Sequence, residues 1–156
     1  MFKTRWISEN IAVCGIPDMY EISLWRESGI SAVVNLVEGD LGEQLREEEE
    51  KYFEVLHIPT NDFEAPSLAE TLKIINWIDA KLKNNAKIVI HCRAGIGRTG
   101  TITAAYLIWN GEGSPQSVLD FIEKFNLYPQ SEVQMKLLDD IYALKISKSL
   151  KKSSSE

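Results

Sequence analysis

The chain has 156 residues, of which 44% are hydrophobic and 26% are charged, which indicates one compact globular domain and excludes two large ones. Its 17 Lys and Arg against 23 Asp and Glu give a formal net charge of −6, which excludes a global basic field for binding nucleic acid or anionic lipid. The longest apolar runs are far shorter than the roughly 20 residues that span a bilayer, so we expect no membrane association.

The ends of the chain and its two cysteines indicate where the protein works. The N-terminal segment mixes charges with single apolar side chains, which is not the pattern of a secretory signal. Cys14 and Cys92 do not make a disulfide scaffold in a chain of this length, so we expect a cytoplasmic protein. We expect a monomer with one domain over residues 1–147 and a flexible tail, rich in Ser and Lys, over residues 148–156.

Four short apolar or β-branched runs bounded by turn residues predict strands. They are Ile11–Val13, Ala32–Val37, Tyr52–Ile58 and Lys87–His91.

Helical patterns separate these predicted strands. The first helix is predicted over Tyr20–Ser28 and stops at a glycine, which accepts a positive φ. The acidic run Glu47–Glu50 is interpreted as the solvated face of another helix. Ser67 and Glu70 form a capping box that opens a third helix, which is predicted to end near Asn84.

Only helices are predicted in the last third of the chain. Ile102–Trp109 is the first, Ser114 followed by Pro115 begins the second, and Ser131 with Gln134 forms a capping box before the third. Strands that alternate with helices predict an α/β fold with a central, mostly parallel sheet of four to five strands, helices on both faces and a helical C-terminal third.

Three predicted loops leave the carboxyl ends of the strands, where ligands bind in such folds. One begins at Glu38, one covers Pro59–Pro66 and one covers Cys92–Arg98. We therefore expect side chains from these three loops to meet at one edge of the sheet.

The loop from Cys92 to Arg98 carries the strongest chemical signal. It enters a helix N-terminus, where converging backbone N–H groups and the helix dipole form an anion site, and Gly95 and Gly97 allow the backbone to bend. The same field favours the thiolate of Cys92, which makes it a candidate nucleophile. Five residues separate Cys92 from Arg98, which is enough chain to curl around one tetrahedral anion and bring the guanidinium onto two of its oxygens.

Other interpretations of this segment fit less well. Gly95, Gly97 and Gly100 match a dinucleotide-binding fingerprint, but Asp120, the acidic residue that would bind the ribose, lies inside a predicted helix. A nucleotide P-loop needs a Lys after its glycines, and none follows here. A sulfur-transfer enzyme also uses a loop cysteine but does not need an Arg followed by a Thr. The two histidines are not paired with other ligands at metal-binding spacing, so we predict no metal and no cofactor.

The segment HCRAGIGRTG at residues 91–100 resembles the phosphate-binding loop of the protein tyrosine phosphatase superfamily. Two further patterns, WRESG at residues 25–29 and HIP at residues 57–59 ahead of Asp62, are similar to those of small atypical dual-specificity phosphatases, including compact archaeal-type enzymes. The resemblance covers roughly residues 10–144. It implies a metal-free phosphomonoesterase that works through a covalent cysteinyl-phosphate intermediate.

The resemblance also implies a role for each matching residue. Cys92 is the nucleophile, Arg98 clamps the phosphate and Asp62 is the general acid. Thr99 donates its hydroxyl to the leaving thiolate, and His91 supports the loop. The residues expected to bind the substrate phosphate are Arg93, Ala94, Gly95, Ile96, Gly97 and Arg98.

Two acidic residues outside the cysteine loop complete the expected site. Asp62 lies on the loop after a neighbouring strand, where a carboxylic acid can protonate the leaving oxygen; it is otherwise a turn carboxylate, with Glu64 as the substitute acid. Glu38 lies where it can hold Arg98 in place, or it is a solvated loop acid.

Three functions stay open at this point. The first is a protein phosphatase whose partner is a phosphoprotein or phosphopeptide, with phosphotyrosine as the expected substrate and phosphoserine or phosphothreonine as further ones. The second is a phosphoinositide or RNA 5′-phosphate phosphatase that uses the same chemistry. The third is a noncatalytic phosphate-binding module, which would not need the thiolate chemistry of Cys92. Several members of the superfamily carry a glutamine that orients the attacking water. That role is assigned to neither Gln130 nor Gln134.

Overall fold

Residues 3–154, which the computed structural model describes, form one five-stranded sheet with helices on both faces. The strands are β1 (Arg5–Trp6), β2 (Ile11–Cys14), β3 (Ile30–Asn35), β4 (Glu54–His57) and β5 (Lys87–His91). The helices are α1 (Met19–Glu27), α2 (Gly39–Glu50), α3 (Leu68–Lys83), α4 (Gly97–Trp109), α5 (Pro115–Glu123) and α6 (Glu132–Ser154).

The strand order is β1-β2-β5-β3-β4, in which β2, β5, β3 and β4 run parallel and β1 is antiparallel to β2. The predicted α/β fold with a mostly parallel sheet and a helical C-terminal third is confirmed. The two-residue strand β1 was not predicted, because so short a segment shows no alternating pattern.

The two faces of the sheet are covered by different helices. Val33 and Val89 pack with Trp25 of α1 on one face, and Val34 and Ile90 belong to the larger cluster formed with α3, α4 and α6 on the other. Neighbouring residues of one strand therefore serve different faces, as the period of two in a strand requires. Because both faces are buried, the middle residues of the central strands, 32–34 of β3 and 88–90 of β5, are apolar.

Two of the predicted helix starts differ from the structure: α4 begins at Gly97, ahead of the predicted Ile102, and the capping box of α6 is incomplete. The capping box at Ser67 and Glu70 is formed, with both hydrogen bonds at 3.1 Å. At the start of α6, the N–H of Gln134 donates to Oγ of Ser131 at 3.2 Å, as a capping box requires. The Gln134 side chain, however, accepts from the N–H of Gln130, so the predicted box is only half formed.

Helix α6 continues through most of the segment that was predicted to be a flexible tail. It ends at Ser154, and neither Pro nor Gly interrupts residues 148–154. Residues 155 and 156 lie outside the described part of the chain. None of the helices described over residues 3–154 is long and apolar enough to cross a bilayer.

Candidate active site

The carboxyl ends of four strands lie side by side. Cys14 of β2 is in register with His91 of β5, and His91 is in register with Asn35 of β3, which pairs in turn with His57 of β4. The three loops that the sequence analysis selected leave β3, β4 and β5 at this edge. A fourth segment, which leaves β2 at Gly15, joins them.

The sulfur of Cys92 lies at the base of the loop between β5 and α4. It accepts a hydrogen bond from the N–H of Gly95 at 3.3 Å and another from the hydroxyl of Thr99 at 3.0 Å. Cys92 is 1% exposed, and α4 begins at Gly97 with its N-terminus at the same loop. Two donors and the positive end of a helix therefore surround one sulfur, which is an arrangement that stabilises a thiolate.

Two glycines allow this loop to lie directly against the end of β2. Gly95 has a φ of +77°, and a Cβ there would lie 2.6 Å from the backbone nitrogen of Gly15. A Cβ at Gly15 would in turn lie 2.8 Å from the carbonyl oxygen of Arg93. Any larger residue at either position would push the loop away from the sheet.

The guanidinium of Arg98 is buried and is held from two sides. One nitrogen, Nη1, donates to the Glu38 carboxylate and to the carbonyl oxygen of Thr60, the latter at 2.7 Å. Its Nε is buried, makes no hydrogen bond within the described residues, and lies 3.7 Å from Oδ1 of Asp62. Arg98 therefore presents a buried donor toward the site between the cysteine loop and the Asp62 loop.

Glu38 connects both arginines of the cysteine loop. Its carboxylate accepts from Nε of Arg93 at 2.7 Å and from Arg98 through its other oxygen. Burial raises the pKa of Glu38, but hydrogen bonds from its own backbone N–H, Arg93 and Arg98 bring the pKa below its ordinary value. The carboxylate therefore stays ionised and fixes the position of the guanidiniums.

Asp62 lies on the surface of the loop that follows β4. Its side chain is 55% exposed, and its Oδ1 accepts the N–H of Phe63 at 3.0 Å. The alternative acid Glu64 accepts from Nδ2 of Asn61 at 3.3 Å, and no ion pair joins it to Arg98 in the part of the chain that the structure describes. The geometry thus brings Asp62 toward the guanidinium and leaves Glu64 beside it.

His91, the residue before Cys92, belongs to a buried hydrogen-bonded pair. Nε2 of His91 is 2.5 Å from Oε2 of Glu49, and both side chains are 0% exposed. Nδ2 of Asn35 donates to the other Glu49 oxygen at 3.1 Å. The interpretation of Glu47–Glu50 as a solvated face is therefore wrong for Glu49, which α2 turns toward the sheet.

Sequence reasoning also missed Arg5, which contacts the cysteine loop. Nη2 of Arg5 donates to the carbonyl oxygens of Gly95 at 2.9 Å and Phe125 at 3.0 Å. Burial lowers the pKa of this guanidinium, against the opposing influence of the two cysteines. Arg5 precedes the predicted elements, and no motif marks it.

The second cysteine lies next to the site but differs in its surroundings. Cys14 is buried at the end of β2, and burial raises the pKa of its thiol to about 11. It is therefore a neutral thiol at physiological pH.

Across residues 3–154, no group of three or more His, Cys, Asp and Glu residues is arranged to hold a metal ion.

Comparisons with known proteins agree on one family. A family model described as "Polymorphic toxin system, DSP-PTPase phosphatase" matches residues 9–112. The chain is 30% identical over 118 residues to phosphatidylinositol 3,4,5-trisphosphate 3-phosphatase cnrN of Dictyostelium discoideum, a match that covers 67% of this chain and 18% of that protein. It is 30% identical over 116 residues to cyclin-dependent kinase inhibitor 3 of Sus scrofa, over 72% of this chain and 50% of that one. The chain thus spans half or less of the length of these two relatives.

Solved structures show the same similarity over the whole domain. The structure of Tk-PTP in its active form superposes with a TM-score of 0.81 and 32% sequence identity, over 90% of this chain and 97% of the other. PTPMT1 in complex with PI(5)P superposes with a TM-score of 0.82 over 94% and 98% of the two chains. At 20% identity, the second comparison shows a shared fold alone.

Proposed function

The chain belongs to the family of dual-specificity and protein tyrosine phosphatases, and on this premise we propose that it hydrolyses phosphomonoesters through a cysteinyl-phosphate intermediate. The observation that carries the proposal is the environment of the Cys92 sulfur, which accepts hydrogen bonds from Gly95 and Thr99 at the N-terminus of α4. A noncatalytic phosphate-binding module would need the cradle of N–H groups but no sulfur at its base.

In the first chemical step, the Cys92 thiolate attacks phosphorus. A sulfur–phosphorus bond forms as the bond between phosphorus and the leaving oxygen breaks, and Asp62 gives its proton to that oxygen. Nε of Arg98, which is buried without a hydrogen-bond partner in the described residues, donates to the phosphoryl oxygens as negative charge spreads over them. Nη1 stays with Glu38 and Thr60 and keeps the guanidinium in position.

In the second step, water replaces the sulfur. The Asp62 carboxylate takes a proton from the attacking water, an oxygen–phosphorus bond forms, and the sulfur–phosphorus bond breaks. The electron pair returns to Cys92, where the Thr99 hydroxyl and the Gly95 N–H stabilise the departing thiolate. The product is inorganic phosphate, and the enzyme is back in its starting state, with Cys92 as the thiolate and Asp62 protonated for the next cycle.

We take the substrate to be a phosphotyrosine side chain of a protein or peptide. The cysteine loop itself carries two guanidiniums, of Arg93 and Arg98, and two carboxylates, of Glu38 and Asp62, contact them. The third guanidinium at this loop, that of Arg5, is bound to backbone carbonyl oxygens. This balance of charge favours a substrate with one phosphate over an inositol headgroup with several. Phe63, which follows Asp62, is 54% exposed and offers an aromatic face beside the general acid.

The test is phosphate release from four substrates measured in parallel with chelator present: a phosphotyrosine peptide, a phosphothreonine peptide, a short-chain phosphoinositide and an RNA 5′ phosphate. We expect the phosphotyrosine peptide to be hydrolysed fastest, vanadate to inhibit, and Cys92→Ser to lose all turnover. Turnover that survives Cys92→Ser, or that needs a divalent ion, would show that the mechanism is wrong. A preference for the phosphoinositide would keep the chemistry and reject the proposed substrate.

A further inference from the structure

The loop that carries the general acid is fixed at both of its ends. On the side nearer β4, the carbonyl oxygen of Thr60 accepts a hydrogen bond from Nη1 of Arg98 at 2.7 Å. This contact ties the loop to the guanidinium that faces the phosphate site. Asp62 follows two residues later.

On the far side of Asp62, the start of α6 holds the loop. The hydroxyl of Ser131 donates to the carbonyl oxygen of Phe63 at 2.6 Å, and Nε2 of Gln134 donates to the carbonyl oxygen of Glu64 at 3.0 Å. The two acceptors are consecutive residues directly after the general acid. The side chains of α6 therefore determine where this part of the loop lies.

The backbone beside Asp62 does not adopt this conformation without support. Phe63 has a φ of +63°, in the left-handed region that bulky side chains avoid. Such a conformation persists only where the surrounding contacts impose it, and it is concentrated at functional sites. Phe63 is exposed, so burial of its ring does not offset the strain.

Gln134 also connects the acid loop to the phosphate loop. Its side chain is fully buried, and its Oε1 accepts the N–H of Gln130 at 2.6 Å while its Nε2 holds Glu64. The Gln130 side chain lies directly over Gly97, so close that a Cβ at residue 97 would overlap it. One buried amide thus links the loop of Asp62 to the segment that covers the first turn of α4.

We propose that Gln134 is a positioning residue for the general acid: it fixes the Asp62 loop relative to the phosphate loop so that the carboxyl group meets the leaving oxygen. The inference rests on the proposed function, because it assigns Asp62 the proton transfer. Both ends of the Gln134 amide are bound to backbone groups, so the residue acts through the loop and not on water. Because a small displacement of a reacting group reduces the rate strongly, loss of this link should affect the step that needs the proton.

The first test replaces Gln134 by Met, which keeps the length and burial of the side chain and removes both hydrogen bonds. We expect kcat/KM for phenyl phosphate, whose leaving group needs a proton, to fall about 10- to 100-fold, within the range that general acid catalysis contributes. We expect kcat/KM for nitrophenyl phosphate, which leaves with little assistance, to fall less than about threefold. This ratio reports the steps up to release of the leaving group, so it excludes the hydrolysis in which Asp62 acts as a base for both substrates. Gln134→Glu, which keeps an acceptor for Gln130 and loses the donor to Glu64, should show an intermediate loss.

The control is Gln116→Met, because among the described residues the Gln116 amide bonds to Asp120 alone, within an exposed turn of α5. It should leave both rates unchanged. In an Asp62→Asn background, Gln134→Met should cause no further loss on phenyl phosphate, because the two changes remove the same proton transfer. Equal losses on both substrates, or additive losses in the double variant, would overturn the inference.

A second measurement separates this inference from the proposed function. Hydrogen exchange should become faster in peptides covering residues 59–66 of Gln134→Met, including the Glu64 N–H that donates to Asn61 at 3.0 Å, and should stay unchanged in Gln116→Met. Unchanged exchange in this loop would reject Gln134 as its anchor whatever the activity. If the wild-type protein released no phosphate from any substrate, the proposed function would fail, and with it the role of Gln134 in catalysis.

Discussion

The hydroxyl of Thr99 lies 3.0 Å from the sulfur of Cys92 and donates to it from the first turn of α4. Thr99 is itself fully buried, and its position is fixed by the helix that begins two residues earlier. In the proposed mechanism this hydrogen bond serves both chemical steps, and its effect is greatest when the sulfur leaves phosphorus and regains its negative charge.

Thr99→Val should therefore slow the second step more than the first. We expect turnover of nitrophenyl phosphate to fall about 10- to 100-fold, and a burst of nitrophenol equal to the enzyme concentration should precede the slow steady state. Rapid-quench measurements would detect the accumulated cysteinyl phosphate.

Thr103→Val is the matched control for this change. The Thr103 hydroxyl is also buried on α4, but it donates to the carbonyl oxygen of Thr99 at 2.7 Å and does not contact the sulfur. Its variant should show no burst. A Thr99→Val enzyme with lower turnover but no burst would mean that the hydroxyl assists the attack instead.

The two cysteines should differ in their reaction with iodoacetate. Burial raises the pKa of Cys14 to about 11, so its thiol stays protonated at pH 7, whereas Cys92 lies in the anion site that attracts the reagent. We expect one equivalent of label, mapped to Cys92 by mass spectrometry, together with complete inactivation. Vanadate should protect.

The same experiment on Cys92→Ser isolates Cys14. No label should be incorporated below the pKa of the buried thiol unless denaturant is added. Labelling of Cys14 in the native variant at pH 7 would show that the end of β2 opens to solvent.

Arg98→Lys should be severe even though the positive charge is kept. An ammonium cannot bind Glu38 and Thr60 while also presenting a fixed donor to two phosphoryl oxygens. We expect kcat to fall about 10²- to 10³-fold, the range usual for transition-state contacts of this kind. Arg46→Lys, which alters an exposed pair with Glu43 on α2, is the control. A near-normal kcat in Arg98→Lys would show that Arg98 does not need to bind two phosphoryl oxygens at once.

The stability that Glu38 contributes should depend on pH. Its folded-state pKa is lowered by the net effect of its hydrogen bonds, so its stabilising contribution is present above the ordinary carboxyl pKa and is lost as pH falls through the lowered value. Glu38→Gln should therefore lower Tm most at neutral pH, and the difference from wild type should shrink in acid.

Thermal unfolding between pH 7 and pH 3 would measure this difference. The control is Glu9→Gln, which changes an exposed carboxylate and should have nearly the wild-type Tm at every pH. If the Tm difference between Glu38→Gln and the wild type grew as the pH falls, the pKa of Glu38 would not be lowered in the folded state.

The hydrogen bond between Thr99 and Cys92 could be predicted because the two residues lie in one short segment of the sequence. Cys92 and Thr99 are seven positions apart, and a local motif records their spacing. Glu49 lies 42 positions from His91, and Gln134 lies 70 positions from Glu64, so their contacts depend on the packing of α2 and α6. Charge pattern alone placed Glu49 in solvent, because a single inward-facing acid in an acidic run has no signature of its own.

Arg5 lies 90 positions from Gly95, the residue of the cysteine loop that it contacts. Its guanidinium donates to the carbonyl oxygen of Phe125 and to that of Gly95. Because a trans peptide is planar, the N–H of Ile96 must point to the opposite side from that carbonyl. Arg5 thus fixes the orientation of one peptide N–H of the phosphate loop.

Arg5→Met should therefore weaken the binding of oxyanions before it affects the chemistry. We expect the inhibition constant for vanadate to rise about tenfold, since one well-placed hydrogen bond to a charged group contributes roughly 1.5 kcal/mol or more. Arg5→Lys, which keeps the positive charge on a single donor nitrogen, should lie between wild type and Arg5→Met. Arg26→Met, which removes an exposed guanidinium stacked 4.1 Å from the ring centroid of Tyr52, is the control and should leave the constant unchanged. Thermal unfolding of each variant would show whether the fold is intact, and a folded Arg5→Met enzyme that binds vanadate as tightly as wild type would show that the peptide keeps its orientation without the arginine.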